Sequence, residues 1–282
     1  MENINRIARM KELVKDIKKE CKTIGFVPTM GALHEGHLSL VREARRMSDV
    51  VVVSVFVNPK QFGPGEDFEH YPRNIAQDTE LLQKENVDYV FHPAVEEMFP
   101  NTYKTYIIVE DLSAKLCGKS RPGHFRGVTT VVMKLFNIVH PNFVFFGQKD
   151  AQQALIIKRM LKDLASDIEF IILPIVRDPN GLAFSSRNEY LTPEERNAAP
   201  ILYAALMKAH ERIKKGEKKA AKILSLINEM ISSEPLAKID YIEIVDLENL
   251  EPVKSIEKTT LIALAVFFGT TRLIDNIIVE AR

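Results

Sequence analysis

Cysteine is scarce in this chain, and neither sign of charge is in excess. Cys21 and Cys117 are the two cysteines in 282 residues. No Cys-x-x-Cys pair occurs, so the sequence suggests neither a disulfide scaffold nor a zinc knuckle, and this usage suits a reducing cytoplasm. Lys plus Arg and Asp plus Glu each number 38, giving a formal net charge of zero. A broad basic surface of the kind nucleic acid or an anionic membrane attracts is therefore missing, although a local basic pocket remains compatible with the balance. No stretch approaches 18 uninterrupted apolar residues, so no membrane span is expected. Residues 1–20 mix charges of both signs without a long apolar run and do not form a signal peptide. Internal repeats and low-complexity segments are absent. What remains is a chain long enough to bury a large core and to form two domains.

The apolar pattern alternates between strand and helix. Ile4, Ile7, Leu13, Val14 and Ile17 recur at helical spacing. A strand is expected at 23–27. A helix then begins near Glu35, with Leu38, Val41, Ala44 and Met47 on one face. The run of valines at 50–53, continued by Val55, Phe56 and Val57, reads as a strand buried on both faces of a parallel sheet. Residues 60–73 carry Gly63, Pro64, Gly65 and Pro72 and read as loop. Further expectations are a helix at 74–85, strands at 87–91 and 105–109, an apolar helix at 127–140, a strand at 142–146, a helix at 151–164 and a strand at 168–176. Strands alternating with helices imply right-handed crossovers and a Rossmann-like, doubly wound parallel sheet over residues 1–176. After the turn signal Asp178-Pro179-Asn180-Gly181 the pattern changes. Thr192-Pro193-Glu194-Glu195 combines an N-cap, a proline at N1 and a capping-box glutamate. Helices at 193–214 and 217–233 and strands at 238–245, 260–268 and 273–280 predict a smaller α+β domain over 177–282.

In a doubly wound sheet, ligands collect beyond the carboxyl ends of the strands, and four polar clusters fall at such ends. The first holds His34 and His37, three residues apart on a first helical turn and so on one face. Gly36 between them removes a side chain and lets a ligand approach the backbone. Unpaired amides at a helix N-terminus attract phosphate, and two imidazoles there can donate hydrogen bonds as negative charge moves. A bare His-x-Gly-His also describes an ordinary helix start with surface histidines; its place between strand and helix favours the ligand. Zinc is disfavoured, since the spacing is not that of metalloprotease helices and no cysteine lies nearby. Asn58 to Gln61 follow the second strand. Gly147, Gln148, Lys149 and Asp150, with Gln153, follow the strand at 142–146. Residues 177–187 follow the last. Lys149 suits a phosphate as a point charge, and Ser185, Ser186 and Arg187 offer two hydroxyls and a guanidinium fork. Gln61 and Gln153 suit an uncharged polar group or a carboxylate. Met30 and Phe62 fit an apolar pocket wall or core packing equally well. His124, in a basic turn-rich loop, fits ligand, partner or solvent.

The blocks running from Phe26 to His37, from Phe56 to Phe62, from Phe146 to Asp150 and from Ser185 to Asn188 closely resemble the pantoate–β-alanine ligase family of the His-x-Gly-His nucleotidyltransferase superfamily. The resemblance is ordered and spans about 26 to 191. It implies a Rossmann-like domain, a C-terminal lid domain, a homodimer, ATP, pantoate and β-alanine as reactants, and magnesium as the cofactor that accompanies ATP. It implies that Met30, Gly31, Ala32, Leu33, His34, Glu35, Gly36, His37, Gly147, Gln148, Lys149 and Asp150 hold ATP. Ser185, Ser186 and Arg187 would close on the phosphates, Val176 and Phe184 would pack at adenine, and Gln61 and Gln153 would hold pantoate. His37 is the implied proton donor, with His34, Lys149 and Arg187 as its catalytic partners. No protein metal ligand is implied; magnesium sits mostly on phosphate and water oxygens, with Asp78 considered as a neighbour. Phe184 departs from the family, which usually has methionine or leucine there. Related readings stay open: another adenylyl transferase, whose phosphosubstrate would need extra cations near Gln61 and Gln153; a synthetase acting on tRNA; or a nucleotide-binding module without catalysis. The loop at 63–73 follows Gln61 directly and reads either as a passive connection or as a gate that keeps water from a reactive acyl adenylate.

Overall fold

The structure is a computed structural model that describes residues 1–280, so the last two residues of the expected 177–282 unit lie outside the described residues. In chain order the elements are β1 (Glu2–Ile4), α1 (Ile7–Lys19), β2 (Ile24–Thr29), α2 (Glu35–Met47), β3 (Val50–Val55), α3 (Ile75–Lys84), β4 (Tyr89–Phe91), α4 (Val95–Met98), α5 (Cys117–Ser120), α6 (His124–Val139), β5 (Phe143–Gly147), α7 (Ala151–Asp163) and β6 (Glu169–Leu173). They continue as α8 (Pro193–Ala198), α9 (Ile201–Lys214), α10 (Ala220–Ser232), β7 (Ala237–Asp246), β8 (Thr260–Phe268) and β9 (Thr271–Val279), with 3-10 turns at Pro59–Gln61, Gln148–Asp150 and Ser186–Tyr190.

Six parallel strands pair in the order β1-β4-β3-β2-β5-β6. The strand order reverses between β2 and β5, which places the switch point of a doubly wound sheet there. The valines of β3 show why the sheet is covered on both sides. Val51 and Val53 join Leu40, Val41 and Ala44 of α2 in one core cluster, whereas Val50 and Val52 join α1, α6 and α7 in another. Successive strand residues point to opposite faces, so an unbroken apolar run is what two buried faces require.

Residues 237–279 form a second, antiparallel sheet in the order β7-β8-β9. The alternation of β8 divides between two cores. Ile262, Leu264, Val266 and Phe268 pack with α9 and α10, while Leu261 and Ala263 join the core of the parallel sheet. The smaller sheet is thus seated on the larger unit through apolar contacts. Residues 183–190 also turn back: Ser186 Oγ donates to the Ala32 carbonyl at 3.1 Å.

Several sequence expectations need correction. Residues 105–109 form no strand; the Ile107 amide donates to Thr130 Oγ1 and its carbonyl accepts from Thr129 Oγ1, so hydroxyls of α6 replace a strand partner. Ile4 belongs to the edge strand β1 rather than to the first helix. The helix expected at 193–214 is interrupted at Ala199 and Pro200, because proline supplies no amide for the preceding turn. The strand expected at 168–176 stops at Leu173.

Between β3 and α3, the Pro59–Gln61 turn lies flush against α6 at Gly127. A Cβ there would meet the Lys60 carbonyl oxygen at 2.1 Å and Gln61 Cα at 2.6 Å. Both are backbone atoms and cannot rotate away. Gly127→Ala is expected to cost about 1–3 kcal/mol of stability through overpacking, read as a lower urea midpoint at unchanged slope; a midpoint equal to that of the parent chain would remove this packing argument.

Candidate active site

The loop after β2 is built around a buried acid. Asp78 of α3, 2% exposed, accepts from the Ala32 amide at 3.0 Å and the Leu33 amide at 2.8 Å. Burial raises its carboxyl above the usual range, against the lowering effect of those two amides. Asp78 therefore shapes this loop. Thr29 Oγ1 donates to the Ser54 carbonyl at 2.7 Å and accepts from the Gly31 amide at 3.2 Å, tying the loop to β3.

His34 caps α2, and His37 stands at its third position. The rings lie 4.0 Å apart between centroids. Gly36 lines the cavity described below. A Cβ on it would meet the His34 ring at 3.0 Å, so the glycine makes room for the imidazole itself. Phe184 stacks on the other side of His34 at 6.0 Å. Burial, helped by Lys149, pushes His37 down to about 4; burial, with His37 and Lys149, pushes His34 down to about 2. Both are neutral at pH 7. His37 Nδ1 accepts from the His34 amide at 3.4 Å, which leaves the ring proton on Nε2.

At the end of β5, Lys149 approaches Asp150 at 3.8 Å. Across the switch point, Gln61 accepts at Oε1 from Asn58 Nδ2 at 3.0 Å and donates from Nε2 to Met30 Sδ at 3.1 Å. His124 Nδ1 faces the Gln61 carbonyl at 2.8 Å, and its Nε2 faces Arg121 Nη1 at 3.1 Å. This pairing requires a neutral ring, and burial beside Arg121 pushes His124 down to about 4. The loop at 63–73 packs onto the same region. Glu66 accepts from Arg121 at 2.7 and 2.5 Å, and Asp67 accepts from Arg187 at 2.9 Å through both oxygens. Tyr71 OH donates to Ser186 Oγ at 3.5 Å.

A cavity of about 210 Å³ gathers Met30, His34, Gly36, His37, Gln61, Gly147, Lys149, Asp150, Gln153, Val176, Phe184, Ser185, Ser186 and Arg187. A larger one of about 1000 Å³ against the second sheet shares Arg121, His124, Lys149, Asp150, Gln153, Ser185 and Arg187. Not every expected residue faces these cavities. Glu35 turns outward to Arg42, Leu33 enters the core, and Gln148 bonds to Asn276 at 3.2 Å. Gly31 and Ala32 contribute loop backbone. Sequence reasoning missed Asp67, Glu66 and Arg121 as partners in ion pairs, and it missed Asp275 and Asn276 of β9. Two consecutive polar residues between the apolar pairs Leu273-Ile274 and Ile277-Ile278 were the available signal for that last pair.

A Rossmann-ordered parallel sheet with cations and neutral imidazoles gathered at its switch point defines an α/β enzyme that handles anionic ligands there. The model of the family "Pantoate-beta-alanine ligase" matches residues 2–278. A pantothenate synthetase of Caldicellulosiruptor saccharolyticus is 55% identical over 277 residues, covering 98% of this chain and 99% of that protein. The crystal structure of pantothenate synthetase from Thermus thermophilus superposes with a TM-score of 0.94 at 44% identity, over 98% of this chain and 99% of that one. A pantoate–β-alanine ligase of Francisella tularensis, complexed with beta-gamma ATP and β-alanine, superposes with a TM-score of 0.80 at 35% identity, over 99% of this chain and 97% of that one. The chain belongs to the pantoate–β-alanine ligase family.

Three half-buried histidines held neutral have a thermodynamic consequence. Their folded-state pKa values lie below the ordinary 6.5, so the unfolded chain takes up protons first as pH falls. Their contribution to stability is present above about pH 6.5 and is lost as pH falls toward 4 for His37 and His124 and on toward 2 for His34. Between pH 7.5 and pH 5 the unfolding free energy should fall by roughly 1–2 kcal/mol for each such histidine. Denaturation at the two pH values, repeated with His124→Gln, checks this: the variant should show the shallower slope, and equal slopes would contradict a neutral His124.

Proposed function

We propose that this chain joins pantoate to β-alanine at the expense of ATP, with the residues of the smaller cavity as its machinery. In the first half-reaction a pantoate carboxylate oxygen attacks the α-phosphorus of ATP. The bond to the β-phosphate bridge breaks, and pyrophosphate leaves a pantoyl adenylate. In the second, the β-alanine amine attacks the acyl carbon, the acyl–phosphate bond breaks, and pantothenate and AMP form with loss of the amine proton. The observation that carries this reading is the gathering of two neutral amides, Gln61 and Gln153, with Lys149, Arg187 and two neutral imidazoles around one cavity. Gln61 and Gln153 suit the hydroxyls and carboxylate of pantoate, and the cation nearest Gln61, Arg121, is already paired with Glu66.

In this reading Lys149, Arg187, Ser185 and Ser186 face the triphosphate, with Val176 and Phe184 beside the base. His37 acts as a neutral Nε2–H donor and not as an imidazolium. A neutral donor gains strength as charge grows on the departing pyrophosphate without holding the substrate too firmly beforehand. Phe184, against His34, stiffens the imidazole pair. Magnesium would enter with ATP, held mostly on phosphate and water oxygens, and Asp150, which lines the cavity, is the carboxylate beside Lys149 that would face it. When bound, the ion neutralises phosphate charge. The C-terminal unit, 177–282, serves as the lid. The family resemblance also supports a cytoplasmic homodimer, the dimer being open to test by sedimentation of the purified chain.

Pantoate-dependent exchange of pyrophosphate into ATP tests the reading directly. His37→Ala should slow this exchange about 100-fold or more while leaving ATP binding near its parent value; exchange that proceeds without pantoate would reject the substrate assignment. The loop at 63–73 supplies a second test. Tethered through Asp67 to Arg187 and through Glu66 to Arg121, it can cover the adenylate against water. A shortened loop should still form adenylate but release AMP and free pantoate several-fold faster when β-alanine is absent. Hydrolytic release equal to that of the parent chain would leave the loop without a gating role.

A further inference from the structure

Asn276 lies in the middle of β9, paired across to Ala263 of β8 and 3% exposed. Its side chain does not serve its own sheet. Nδ2 donates to the Gln148 carbonyl at 2.9 Å and to the Lys149 carbonyl at 3.0 Å, and Oδ1 accepts from Gln148 Nε2 at 3.2 Å. Every polar group of the carboxamide is thus committed to one 3-10 turn, the turn that carries Lys149 from the end of β5 to the start of α7. The neighbouring Asp275 makes a separate bridge: it accepts from Arg177 Nη1 at 2.6 Å and from Nη2 at 2.8 Å. The Asn276 bonds are the ones that reach the lysine.

We infer that Asn276 is the residue of the second sheet that positions Lys149 for adenylation, by fixing the backbone of the Gln148–Asp150 turn from behind. The inference rests on Lys149 acting on the phosphates. A turn of three residues has little rigidity of its own. Gly147, immediately before it, carries no side chain, and a Cβ there would meet open space. Two carbonyls bonded to one buried amide lock the direction in which the intervening Cα projects its side chain. Lys149 is a long and flexible stem, and its ammonium reaches the cavity at a defined place only if its Cα is held. Asparagine fits this position and aspartate of the same shape does not, because a carboxylate would face two carbonyl oxygens with no proton to offer. Asn276 touches no substrate in this scheme and acts through Lys149.

The test compares Asn276→Ala and Asn276→Asp with Lys149→Ala and with the double variants. The readouts are single-turnover formation of pantoyl adenylate and separate aminolysis of preformed adenylate by β-alanine, with thermal midpoints measured alongside. The expected result is a loss of about tenfold to a hundredfold in the rate of adenylate formation, the scale of a reacting group displaced by about 1 Å. The KM for ATP should change less, and aminolysis should stay near the parent rate. Adding either Asn276 variant to Lys149→Ala should cause little further loss, since the residue has nothing left to position. If Asn276→Ala does not yield folded protein, Asn276→Asp keeps the volume and carries the comparison. Equal losses in both half-reactions, or full additivity with Lys149→Ala, would overturn the positioning role. Parent-like adenylation by both Asn276 variants while Lys149→Ala is impaired would overturn it alone. A Lys149→Ala variant with undiminished adenylation would reject both this inference and the site reading beneath it.

Discussion

A parallel sheet whose strand order turns around at one place must open a crevice there, and the rest of this molecule is arranged about that crevice. The chain leaves β2 toward β3 on one side and reaches β5 and β6 on the other. Because the crossovers are right-handed, the connections after β2 and β5 diverge over the carboxyl ends of the two strands. The His34–His37 turn and the Lys149 turn stand at those two ends. Neither needs a long excursion to reach the other. Both are anchored to buried strands whose valines and phenylalanines are packed on each face, which gives the polar groups a rigid base.

Electrostatics within the crevice are managed by neutralising what burial would penalise. The imidazoles of His34, His37 and His124 lose their charge and keep hydrogen bonds or ring stacking. The cations that stay charged have partners: Arg187 has Asp67, and Arg121 has Glu66. Both acids come from the loop after Gln61. In the free protein that loop supplies the negative charge which a triphosphate or a carboxylate substrate carries when it arrives. A chain with zero net charge thus keeps its cleft balanced locally, each cation facing an acid of the same region.

The second sheet contributes more than cover. One face of β8 joins the core of the larger unit and the other is closed by α9 and α10. From β9, Asp275 and Asn276 extend polar side chains to Arg177 and to the Lys149 turn. Apolar seating sets where the sheet lies, and the bonds of Asn276 tie its position to that of the Gln148–Asp150 turn.

How much of this was legible in the sequence follows from the range over which each feature is encoded. The valine run of β3, the Thr192–Glu195 capping box and the placement of His34 and His37 between strand and helix are local patterns, and the residues alone determined them. So was the family, because its motifs are contiguous blocks. The break at Pro200 was also locally encoded, although the surrounding helical period outweighed it. Other features depend on partners far away in the chain. Asp78 acts on amides of the β2–α2 loop, Asp67 on Arg187, Asn276 on Gln148 and Lys149, and Gly127 on the Pro59–Gln61 turn. At 105–109 a strand-like pattern found threonine hydroxyls of α6 instead of a strand edge. Periodicity and spacing report which way a side chain faces on its own element; which donor meets which acceptor across elements is settled only when packing brings the two together, because a hydrogen bond requires its atoms within about 3 Å and nothing in the order of residues measures that distance.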